Sequence, residues 1–135
     1  MSAPVELAFR EQLAAQFAAD LAGRVYDLVS PPDAALPLAT YRCLDGDVTA
    51  TPRRARILVA LRDTSYSAVK RLQQQVEAYF AGLVRTWMGT ADPVECRVWV
   101  YSIDVATRQD GFQAATRQRV AMSEFVIRYA DIESV

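Results

Sequence analysis

Histidine is absent from this chain of 135 residues. The commonest general base and the usual zinc ligand are therefore missing from its chemistry. Cysteine is scarce, with Cys43 and Cys96 the only two. They fall in separate strand patterns with no base beside them. Two reduced thiols packed as small hydrophobes are expected, rather than a disulfide or a nucleophile. No apolar run approaches the ~18 residues that a membrane-spanning helix needs. The opening Met1-Ser2-Ala3-Pro4-Val5-Glu6 has no basic segment leading into an apolar run, so no signal peptide is expected. Neither sign of charge dominates: 15 Lys and Arg stand against 16 Asp and Glu. That balance excludes a global basic field of the kind that holds nucleic acid by its phosphates. Asp45-Gly46-Asp47 lacks the rest of a calcium loop and reads as a hairpin turn. No metal, cofactor or catalytic residue is expected.

What is present is an ordinary globular composition, 52% hydrophobic and 23% charged. A chain of this length buries about two thirds of its unfolded surface, enough for one self-sufficient domain over residues 1–135. Val5, Phe9, Leu13, Phe17 and Leu21 recur every four residues and predict a first helix, with Gly23 as its stop. Alanines at 8, 14, 15, 18, 19 and 22 fill much of its remaining surface. Val25–Val29 reads as a short strand before Pro31-Pro32, and Leu38–Leu44 as the next. Arg54–Arg62 alternates most cleanly, with Ala55, Ile57, Val59 and Leu61 on one face.

Ser65 or Ser67 caps a second helix running to about Trp87, with Val69, Leu72, Val76, Leu83 and Trp87 along its apolar stripe. Val94–Asp104 and Val120–Tyr129 close the chain as strands. Val94–Asp104 sets Cys96, Val98 and Val100 against Arg97, Trp99, Tyr101 and Ile103, apolar on both faces and so expected to be central, or covered on both sides by the fold or a partner. Trp87, Trp99 and Tyr101 are expected in the core, with the lining of an interface as the alternative. Residues 106–119 have no clean period and read as a mobile loop, longer than most connections in a compact domain. The order helix, strands, helix, strands predicts an α+β fold. Its form would be a small mixed or antiparallel sheet of four to five strands with both helices on one face.

The local basic clusters are Arg53, Arg54 and Arg56 on one strand, and Arg108, Arg117 and Arg119 in the 106–119 segment. One reading is a solvated strand face and a solvated loop. The functional reading is an acidic protein partner, with Phe112 as the loop's one large apolar anchor. Arg108, Phe112, Arg117, Arg119, Arg53 and Arg54 are the candidate interface residues.

Gly23-Arg24-Val25-Tyr26 after the first helix, Leu36-Pro37-Leu38 leading to Tyr41, Ala55–Val59, the Leu72–Leu83 helix and Phe125–Tyr129 occur in an informative order. Together they resemble the tail-terminator (tail-completion) proteins of long-tailed bacteriophages. The resemblance covers about Val5 to Tyr129. It implies a structural protein of the virion neck, assembled in the host bacterial cytoplasm. Copies would join in a hexameric ring that caps the tail tube protein, ends its polymerisation and docks the head–tail connector. DNA would pass through the ring lumen without sequence-specific contact, and no membrane would be involved. The alternatives are another neck or head-closure protein, or a small ligand-binding regulatory α+β domain.

Overall fold

In the computed structural model, which describes residues 4–31, 33–47, 52–89 and 97–130, the first apolar ridge forms helix α1 (Pro4–Gln16) and the single turn α2 (Ala18–Leu21). Val5, Phe9, Leu13, Phe17 and Leu21 are all buried, as their spacing predicts. The helix breaks at Phe17, whose ψ of 32° leaves the α region. It ends through Ala22 and Gly23, both left-handed at φ 48° and 79°. Gly23 reaches that conformation at little cost because it carries no Cβ.

The chain then runs through β1 (Val25–Asp27), β2 (Leu38–Asp47), β3 (Arg53–Asp63), helix α3 (Tyr66–Ala81), β4 (Thr86–Gly89), β5 (Arg97–Gln113) and β6 (Gln118–Ala130). All six strands join one sheet in the order β1-β2-β3-β6-β5-β4. Only the β1–β2 pair is parallel. The fold is α+β, with six strands where four or five were expected.

The sixth strand is β4, which the sequence reading assigned to the end of the second helix. Ser65 does cap α3, its Oγ accepting from the Ala68 N–H at 3.3 Å, but the helix stops at Ala81. Arg85 turns the chain with a left-handed φ of 50°. Thr86 to Gly89 then pair with Val100 to Arg97. Trp87 falls at helical spacing from Leu83, yet belongs to a ladder.

Both longer helices lie on one face of the sheet. Phe9 of α1 stacks on Phe80 of α3 with ring centroids 4.4 Å apart, and each lies 5.6 Å from Phe125 of β6. Ala55, Ile57, Val59, Leu61, Ala121 and Ile127 complete this buried face, as the alternation of the third strand predicts. Gln12 ties the layers together. Its Oε1 accepts from the Gly89 N–H at 2.9 Å and its Nε2 donates to the Tyr79 hydroxyl. The opposite face carries no helix among the described residues, and Leu58, Ala60, Met122 and Val126 on it are half-buried.

Three β-bulges shift the registers. One lies between Cys43 and Asp45, so β2 continues through the expected turn at Asp45–Asp47 and pairs with Arg56–Arg54. The other two lie in β5, between Val100 and Ser102 and between Val105 and Thr107. Each inserts a residue and reverses the face that later side chains occupy. Ile103 therefore joins the buried helix side instead of sharing a face with Trp99. Cys43 is half-buried against the core; Cys96 lies outside the described residues.

Candidate protein interface

Residues 106–119, expected as a loop, form most of a long hairpin. β5 continues to Gln113, residues 114–117 turn, and β6 begins at Gln118. The turn is closed by the Arg117 N–H donating to the Ala114 carbonyl at 3.3 Å, with Arg117 left-handed at φ 55°. The sequence carries no strand period here for two reasons. A bulge interrupts the alternation, and this end of the hairpin is exposed on both sides, so nothing demands an apolar face.

What holds the hairpin is a polar strap to α3. Glu77, only 8% exposed, accepts from Arg108 Nε at 2.8 and 3.0 Å and from Ser123 Oγ at 2.6 Å. Gln73, 2% exposed, donates to Ser123 Oγ at 3.0 Å and to the Met122 carbonyl at 3.1 Å. Lys70 Nζ reaches Gln73 Oε1 at 2.6 Å and Asp110 Oδ1 at 3.0 Å. A buried carboxylate and amide in this network would be costly without such partners. The glutamine-rich side of the second helix is thus in part a clamp. That role had no signal beyond the unusual run Gln73-Gln74-Gln75.

Of the six candidate interface residues, the hairpin gathers Arg108, Phe112, Arg117 and Arg119. Phe112 is 52% exposed and lies under the Arg119 guanidinium at 4.3 Å from the ring centroid, a cation–π contact. Arg108 is anchored to Glu77 through Nε alone, and its two terminal amino groups have no partner among the described residues. Arg53 and Arg54 sit elsewhere. Arg119 is opposite Asp63, at the other end of β3 from Arg53. Ten residues of strand separate those ends, about 33 Å. The two arginine clusters are therefore separate surfaces, because the strand that carries one ends at the other.

The helix-free face holds the aromatic residues expected in the core. Trp87 and Trp99 meet edge to face at 5.2 Å, Arg97 lies over Trp87 at 4.1 Å, and Tyr101 is 41% exposed. Arg56 and Glu124 form a two-bond ion pair there at 2.9 and 3.1 Å. The reading of Val25–Val29 as a strand missed a further surface. β1 stops at Asp27, Leu28 turns left-handed at φ 66°, and Leu28 and Val29 are exposed. With Ser30, Pro31, Leu38 and Thr40 they line a cavity of about 400 Å³, walled on its far side by Arg62 and Gln113.

At the β1 border Glu6 and Asp27 lie near one another, with Arg10 also close to Tyr41. Burial raises the Glu6 carboxyl above its ordinary value, and the nearby Asp27 carboxylate raises it further. The Tyr41 hydroxyl is raised by the same two causes in the same order. No group of three or more metal-binding side chains occurs among the described residues. None of the described helices is long and apolar enough to cross a membrane. The described surface presents guanidinium groups, an exposed ring and a long strand edge.

The described residues define a two-layer α+β protein with a projecting, strapped hairpin. No protein-family model matches the chain, and no curated protein matches it. Among solved structures it is similar to a chain of the "Virion of native gene transfer agent (GTA) particle", with a TM-score of 0.60 and 14% identity over 91% of this chain and 90% of that one. At that identity the likeness is one of fold.

Proposed function

We propose that this protein is a structural assembly factor of a phage-like virion, and specifically a tail terminator. The observation that carries the reading is the fold shared with a virion chain over nine tenths of both molecules. The order of sequence features that resembles the tail-terminator family points the same way. Copies would close into a sixfold ring on the end of the tail tube, stop its growth and present a docking surface to the head connector. Phe112, Arg117 and Arg119 at the hairpin tip are the proposed contact to an acidic rim on the tube or connector. Such work proceeds by complementary surfaces, and no substrate turnover is expected. Deleting the gene should give tails of uncontrolled length that fail to join heads, scored by electron microscopy. Tails of normal length that remain unjoined would instead assign the protein to another neck position.

A further inference from the structure

β5 is much longer than the strand on its outer side. β4 pairs only with Arg97–Val100, and from Tyr101 to Gln113 no strand lies beyond β5 among the described residues. Its outward N–H and C=O groups are a template for another strand. Two bulges interrupt the upper part of this edge, between Val100 and Ser102 and between Val105 and Thr107. Below them, Thr107 to Gln113 pair with β6 without a further shift. The opposite border of the sheet is β1, where the Val25 N–H already donates to the Gly23 carbonyl at 2.9 Å and the Asp27 carbonyl accepts from the Val29 N–H at 2.7 Å, so the Asp27 N–H and the Val25 carbonyl are the groups it offers a further strand.

The printed registers place these two borders on the same rows of the sheet. Asp27, Tyr41, Val59, Ser123 and Arg108 form one row, and Val25, Ala39, Leu61, Ala121 and Asp110 form another. β1 runs parallel to β2, and each later step from β2 to β5 reverses direction, so β1 and β5 are antiparallel. Val25 belongs to the buried helix side, so Asp27, two residues on, shares that side. Arg108 is on it too, through its bond to Glu77. Charge is matched across the gap. Asp27 is exposed, with Glu6 nearby, whereas Arg108 keeps two terminal amino groups without partners among the described residues.

We propose that the outer edge of β5 at Arg108–Asp110 receives β1 of a second copy of this chain, so that one sheet continues from subunit to subunit with Asp27 of the partner subunit beside Arg108. The contact is heterologous, and such contacts either close as rings or run on as fibres. Because both edges occupy the same rows, the addition extends the rows of one subunit into the next without a shift along the strand direction. This deepens the ring reading above and rests on it for its biological setting.

Paired cysteines test the contact directly. Tyr26 and Gln109 share a row on the other face of the sheet. Within one chain they are four strand spacings apart, about 19 Å. A disulfide requires Cα atoms within about 7 Å, so the pair can be bridged only between copies. The full chain carrying Tyr26→Cys and Gln109→Cys is oxidised in two settings, as concentrated purified protein and in cells making particles. Non-reducing gels are compared with each single variant and with the parent chain. A ladder of covalent multimers from the double variant alone is expected, and adding Asp27→Arg should reduce it at least several-fold. A covalent dimer from Gln109→Cys alone, absent from the parent chain, would mean that β5 edges pair with each other, and would overturn the proposal. So would the absence of a ladder in both settings from a double variant that melts like the parent under reducing conditions. Tail length in the deletion strain is scored separately. A ladder with normal tails removes the terminator role and leaves this contact standing, while aberrant tails without a ladder do the reverse.

Discussion

Phe80 shows most plainly how single side chains hold this molecule. It is fully buried between Phe9 and Phe125, one ring from each layer and each end of the chain. Phe80→Ala should cost about 3–5 kcal/mol, read from the shift of a urea midpoint, because the cavity it leaves is walled by two other rings. The hairpin arginines separate by the same logic. Arg108→Ala should destabilise by about 1–3 kcal/mol, since it removes a partner from the buried Glu77 carboxylate. Arg117→Ala with Arg119→Ala should leave the melting temperature nearly unchanged, as exposed charges contribute little to folding, while impairing tail completion. The three arginines therefore do not form one solvated cluster, and nothing in the sequence marks Glu77 as the anchor of Arg108. Glu6 gives a pH-dependent case. Its raised value means the folded state favours the protonated carboxyl. That stabilisation is complete below the ordinary value of 4.5 and is lost as pH rises through the raised one. Glu6→Gln should therefore raise the melting temperature at pH 7, and the gain should fade as the pH drops below 4.5.

Among the elements, those with one buried face were legible and those without were not. The four-residue ridge of α1 and the alternation of β3 follow from packing on a single core, and their inward residues are buried as predicted. β4 was hidden because four residues are too few to show a period, and Trp87 continued a helical spacing by coincidence. The hairpin was hidden because its distal half is exposed on both sides and its bulges twice reverse the alternation. The strap could not be read at all, since it joins side chains about fifty positions apart through hydrogen bonds without hydrophobic signature. Its contribution is open to measurement. Gln73→Ala removes the donor to Ser123 and to the Met122 carbonyl and should cost about 1–3 kcal/mol. Amide exchange should then accelerate in residues 107–111 and 119–123 more than in β3, because the hairpin opens locally before the sheet does.

Over the whole molecule, the first helix is part of the core and not an appendage. α1 packs against β4 and β5, and Gln12 bonds to both Gly89 and Tyr79. A chain lacking residues 1–22 should show no cooperative thermal transition by circular dichroism, because Phe80 and Phe125 would lose the ring that covers them. The same packing has a consequence for how the protein comes into being. During synthesis α1 leaves the ribosome more than a hundred residues before one ring it must meet, Phe125, is made. Until α3, β4 and β5 have followed, the apolar ridge from Val5 to Leu21 lacks most of the native surface that covers it. The nascent chain thus carries an apolar helix uncovered until those elements are made, and its yield in the cell should depend on chaperones that shield early segments more than on the stability of the finished fold.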